Sequence, residues 1–186
     1  QTVGYEMEAM HIHDVYEIYM ALSDQVRFFV NNGMYLLEKG DVILFNKNDL
    51  HKVSVPPQEL YSRYIITFPP DVFCAQLGNA KNLLGCFDME SGSSRLLKLT
   101  DDEQARFLSL ARDLEQEENE PDFPEIGRWL NLGQLLLLLS RIQNKCAKDG
   151  PPKNAGHFLH IQKVLQYIDE HYTDPISLDA LGAYRS

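Results

Sequence analysis

The chain has 186 residues, 44% of them hydrophobic and 24% charged, and a formal net charge of −10. This length holds one domain and an appendage, and so acidic a surface repels phosphate backbones, which makes these residues a poor nucleic-acid interface in their own right. No apolar run reaches the roughly 20 residues of a membrane-spanning helix, no signal segment opens the chain, and Cys74, Cys86 and Cys146 lack the paired spacing of a disulfide framework, which suits a reducing cytoplasm.

Near the start, the stretch HIHDVYE (His11–Glu17) sets two histidines two apart and a carboxylate four residues after the second. In a strand His11 and His13 share a face, because side chains alternate. Six short segments rich in β-branched and aromatic residues read as strands: Tyr16–Leu22, Val26–Val30, Met34–Leu37, Asp41–Phe45, His51–Val55 and Tyr61–Phe68. Asn31 to Gly33 supplies a hairpin turn, since both residue types tolerate positive φ. Pro56-Pro57 is expected to end the fifth strand. Short strands joined by short turns predict a small barrel or sandwich.

The segment Cys74 to Leu99 is less regular, and then the pattern turns helical. Thr100 and Glu103 form a capping box, each side chain bonding the other's backbone N–H. Phe107, Leu110, Ala111 and Leu114 follow with the spacing of one apolar face. A second helix is expected from Pro124 to about Lys145. On it Leu132, Leu135, Leu136, Leu139 and Ile142 share one face, while Ile126, Trp129, Leu130 and Leu137 lie around its side. That exceeds the ~100° stripe that one packing partner covers. Pairing the helix across a two-fold axis buries the excess and predicts a homodimer, with Trp129, Leu132, Leu135, Leu136 and Leu139 at the contact. A Pro/Gly/Lys linker is expected over 149–156. A further helix then carries Ile161, Val164, Leu165, Ile168 and Tyr172 on one face, and Ser177 can cap another. The chain starts at Gln1 and stops soon after that cap, and it reads as a fragment.

Lys52 and Ser54 suit a solvent face, so His51, Val53 and Val55 are expected to point inward. His11, His13, Glu17 and His51 then converge. Three histidines and a carboxylate are a sufficient ligand set for a divalent metal. They equally form a polar framework that hydrogen-bonds a small molecule with no metal. Arg63, in parity with Tyr61 and Ile65, is read as pairing with Glu17, against the alternative of a surface arginine on an edge strand. Tyr19 shares parity with Glu17 and lines the same space or the core.

The stretches HIHDVYE and GDVILFNKNDLH resemble the two cupin motifs, His-x-His-x(3,4)-Glu and Gly-x5-Pro-x-Gly-x2-His-x3-Asn. Asn46, Asn48 and Val55 replace the Pro, the Gly and the final Asn, and Asp24 stands where a Gly is expected. Ligand types kept while turn residues drift resemble the sensor domain of AraC/XylS-family transcription regulators. LYSRYIITFPPDVF, the paired helices and IQKVLQYIDEHYTDPISLDALG resemble that family's following strand, dimerisation helices and first DNA-binding helices.

The resemblance implies a cupin-like (jelly-roll) β-barrel followed by an antiparallel helical pair and C-terminal helices. Residues 1–99 become an effector-binding barrel, 100–148 the dimerisation helices, and 157–186 the start of a helix-turn-helix domain. It implies a bacterial cytoplasmic protein, not an enzyme, that senses a small effector, often a sugar in this family. DNA is reached only through a recognition helix beyond Ser186. Effector-binding candidates are His11, His13, Glu17, Tyr19, His51 and Arg63, with no cofactor required. The alternative is a cupin metalloenzyme, a dioxygenase or isomerase, using His11, His13, Glu17 and His51 as metal ligands.

Overall fold

The computed structural model describes residues 2–31, 33–88 and 95–149. The C-terminal helices expected beyond residue 149, and most of the linker, lie outside the described residues.

Eight strands form: β1 (Thr2–Glu6), β2 (Tyr16–Ala21), β3 (Val26–Val30), β4 (Gly33–Leu37), β5 (Val42–Phe45), β6 (His51–Tyr61), β7 (Arg63–Phe68) and β8 (Leu96–Leu97). They make two four-stranded antiparallel sheets, ordered β1-β6-β3-β4 and β7-β2-β5-β8. The expected barrel is therefore a sandwich of cupin-like layout that does not close. A hairpin does join β3 and β4, with Asn31 at φ 49°, but Gly33, expected in the turn, opens β4 opposite Val30.

Pro56-Pro57 does not end a strand. β6 runs through both prolines, and β1 pairs with it on either side of a register slip between Val3 and Tyr5. Gly4 sits at that slip with φ +64°, and a Cβ on it would lie 2.7 Å from the Pro57 Cα. Prolines lack a ladder donor, so a bulge on an edge pair is where a strand can accept them. Gly4 also interrupts the alternation in TVGYE, which is why β1 was not legible in the sequence.

Two apolar cores result. Between the sheets lie Tyr19, Ala21, Val26, Phe28, Val30, Leu37, Ile43, Phe45, Val53, Val55 and Tyr61. On the outer face of the second sheet, Ile18, Met20, Val42, Leu44 and Phe68 pack against helices. Those helices are α1 (Pro70–Leu77), α2 (Asp101–Gln116) and α3 (Pro124–Asp149), with a 3₁₀ segment over Gly78–Phe87. The Thr100–Glu103 capping box opens α2 as expected, and Phe107, Leu110 and Ala111 are buried. No helix among the described residues is long and apolar enough to cross a membrane.

The leucines of α3 lie elsewhere than the dimer reading placed them. Leu135, Leu136 and Leu139 are 0% exposed, Leu132 and Ile142 nearly so, and all join the outer-face core. Trp129 is half-buried, its ring 6.3 Å from that of Phe73. The second sheet needs a broad apolar cover, and the richest face of α3 supplies it. The apolar residues left in solvent are Ile126 (57%), Leu130 (54%) and Leu137 (36%), with Phe123 just before the helix.

Candidate functional site at one end of the sandwich

His51 opens β6, Glu17 lies in β2, and His11 and His13 sit in the segment between β1 and β2. His11 and His51 bond each other's backbone through two 3.0 Å N–H···O contacts, which seats the loop against the first sheet. Glu17 comes from the second sheet, opposite Phe45 and Thr67. The cluster therefore bridges the sheets at one end. The four residues expected to converge do meet there, His11 and His13 from a loop and not from the strand face expected of them. One ring nitrogen from each of His11, His13 and His51 lies within 4.8 Å of the others.

The protonation pattern follows from the hydrogen bonds. A carbonyl oxygen only accepts, so the 2.9 Å contact to Asp49 O puts the proton of His51 on Nδ1. That leaves the His51 Nε2 with a lone pair. Burial pushes the His51 pKa down to about 4, so the ring is neutral at ordinary pH. His13 likewise donates from Nδ1 to Val15 O at 3.0 Å, and its Nε2 meets Glu17 Oε2 at 2.9 Å. Burial raises the pKa of Glu17, opposed first by that bond from His13. The pair shares a proton across this contact. His11 Nδ1 is buried without a hydrogen-bond partner.

The interior next to the cluster is filled by rings. Phe45 stacks on His51 at 4.2 Å, and Phe28 meets both Phe45 and Tyr19 within about 5 Å. The Tyr19 hydroxyl lies deep, and burial, with Tyr61 beside it, pushes its pKa up. The turn that aims His51 is tied down by Asp49, which is 3% exposed. Asp49 accepts from the Arg95 guanidinium, from Asn46 N–H at 2.8 Å and from Asn31 at 3.1 Å. Asp49 and Arg95 escaped the sequence reading because no spacing links residues that far apart.

Arg63 does not pair with Glu17, whose direct partner is His13. Strand parity was read correctly, since Arg63 shares its side of β7 with Ile65, opposite Tyr19. β7 is an edge strand, however, so that side opens to solvent and Arg63 is exposed. Its guanidinium lies over the Tyr61 ring at 4.4 Å, and Tyr61 stacks on Tyr5 at 5.0 Å. A separate cavity of about 380 Å³ lies on the other side of the second sheet, lined by Phe68, Val72, Leu114, Arg128, Trp129 and Leu132 among others.

The class of the domain, a two-sheet sandwich with polar groups at one end and helices packed behind one sheet, is set by its family. The chain belongs to the AraC-like ligand binding domain family, whose profile matches residues 2–132. Among solved structures it is similar to the AraC-like transcriptional activator CuxR, at 10% identity and a TM-score of 0.44, over 93% of this chain and 57% of that one. It is also similar to ToxT from Vibrio cholerae O395 bound to (E)-4-(8-methylnaphthalen-1-yl)but-3-enoic acid, at 14% identity and a TM-score of 0.44, over 100% of this chain and 71% of that one. The chain thus spans little more than half the length of the CuxR structure. No curated protein matches it.

Proposed function

We propose that this chain is the effector-sensing and dimerisation part of a bacterial cytoplasmic transcription regulator, a binding protein and not an enzyme. The observation that carries the reading is the family match over residues 2–132. DNA contact belongs in this reading to a separate helix-turn-helix domain, whose start residues 157–186 resemble in sequence. The effector is a neutral, hydroxyl-rich molecule such as a sugar. His13, Glu17 and His51 offer it directional hydrogen bonds at one end of the sandwich. Arg63 and the Tyr61 ring offer a cation and a stacking face along the open edge. A thermal-shift screen of sugars and polyols is expected to give a hit, because a ligand that binds only the folded state stabilises it. Glu17→Ala is expected to abolish the shift. A hit that Glu17→Ala and Arg63→Ala bind as well as the parent would move the site elsewhere.

The partner in assembly is a second copy, seated on the solvent stripe of α3 formed by Ile126, Leu130 and Leu137. Glu118, Glu120, Asp122 and Glu125 are exposed around the helix start, and Arg141 and Lys145 are exposed near its end. Antiparallel two-fold pairing sets each acidic end against the other copy's basic end. Size exclusion with light scattering is expected to give twice the 21.4 kDa chain mass. Ile126→Glu with Leu130→Glu is expected to give a folded monomer.

A further inference from the structure

We infer that the cavity behind the second sheet is a binding site for a small apolar α-amino acid in its zwitterionic form, with Arg128 holding the carboxylate and Glu125 the ammonium group. The site is separate from the histidine cluster, and the inference does not depend on the sensing role.

The cavity measures about 380 Å³. That lies near the lower end of the roughly 300–1,000 Å³ of small-molecule sites, so it suits a molecule of amino-acid size. Four elements wall it: the end of β7, α1, the last turn of α2 and the first turns of α3. β7 is the edge of its sheet, so no further strand closes that side. Phe68 and Leu132 are buried, and with Ile66, Leu114 and the half-buried Trp129 they make the floor apolar. Val72, on α1, is an aliphatic wall residue left 42% exposed. The apolar side chain of a bound molecule would cover it, and burying that area favours binding.

The charges select the ligand. Glu125 and Arg128 stand three apart on α3, a spacing at which side chains come close enough to pair. Both are exposed and both line the cavity, yet neither makes an ion pair among the described residues. A cation and an anion are thus both free at the mouth of one apolar cavity. A simple carboxylate would meet Arg128 but crowd Glu125. A simple amine would meet Glu125 but crowd Arg128. Like charges set side by side work against binding. A zwitterion carries both charges on one carbon and answers both side chains, through charge-assisted hydrogen bonds. A sugar fits poorly, because few neutral polar side chains, Thr67 and Gln76 among them, line the cavity and most hydroxyls would lose their partners there. The amino acid's own side chain lies on the Trp129 indole and against Leu114 and Leu132, which favours leucine or phenylalanine over polar amino acids.

The test uses the full 186-residue chain, and Trp129 is its only tryptophan. Trp129 lines the cavity, so its fluorescence reports occupancy directly. The probes are L-leucine, L-phenylalanine, hydrocinnamate, which lacks the ammonium group, and phenethylamine, which lacks the carboxylate. A saturable fluorescence change with L-leucine or L-phenylalanine is expected. Hydrocinnamate and phenethylamine should each bind at least about tenfold more weakly than L-phenylalanine. Arg128→Gln and Glu125→Gln should each weaken amino-acid binding by a similar factor while circular dichroism stays that of the parent. Both side chains are exposed, so neither change threatens the fold. No saturable change with either amino acid, or analogues that bind as tightly as the amino acids, would overturn the assignment. Binding lost in Glu17→Ala but kept in both α3 variants would place the ligand between the sheets and overturn it as well.

Discussion

β2 shows two different uses of one strand. Glu17 and Tyr19 point between the sheets, toward the histidine cluster, while Ile18 and Met20 point the other way and pack under α2 and α3. The polar side is sparse and held by hydrogen bonds to fixed carbonyls. The apolar side is broad and held by area. Neighbouring residues in the chain therefore face the histidine cluster and the helices packed behind the second sheet, separated by one strand's thickness. A change in how Glu17 is held needs no long path to reach the packing of Ile18. The division follows from period-two alternation alone.

The largest expected effect lies on the apolar side. Leu135→Ala removes a fully buried side chain from the core beneath α3 and should cost about 2–5 kcal/mol, read by chemical denaturation. A loss well below that would mean α3 is not seated on the second sheet.

Next comes the polar side. The folded His51 titrates near 4 and the unfolded ring near 6.5, so between these values the unfolded chain binds the extra proton. Stability should fall as pH drops from about 6.5 toward 4. Glu17, whose folded pKa is raised, binds its proton more readily when folded and opposes that loss. Metal-free Glu17→Gln should therefore lose melting temperature more steeply on acidification than the parent. Equal slopes would contradict a buried, neutral His51 beside a buried Glu17.

Thr100→Ala removes one half of the capping box and should cost about 1 kcal/mol, leaving the sandwich untouched. Smallest of all, Ile126→Glu changes an exposed residue and should shift monomer stability by no more than about 0.5 kcal/mol. Its effect should appear in the measured mass instead.

The sequence was most informative where a local rule decides the outcome. Residue types and the parity of Glu17 and His51 pointed to one place, although His11 and His13 reach it from a loop and not from the strand expected of them, and the Thr100–Glu103 spacing marked the start of α2. It misled where the fold decides. Arg63 has the right parity, but the edge position of β7 turns that side to solvent. Leu135, Leu136 and Leu139 form the richest apolar face of α3, and periodicity does not say whether such a face meets a partner or the same chain's own sheet. β1 and the prolines of β6 depend on a pairing across some fifty residues, which no local pattern encodes.

The claim on which the account rests is that the effector is received between the sheets and not in the cavity behind them. Amide hydrogen exchange, read by mass spectrometry with and without the strongest hit from the sugar and polyol screen, tests it directly. Protection concentrated in peptides covering 7–22 and 49–63 is the expected result, with a smaller change in α3 transmitted through β2. Protection confined to 66–76 and 125–132, the walls of the outer cavity, would contradict it.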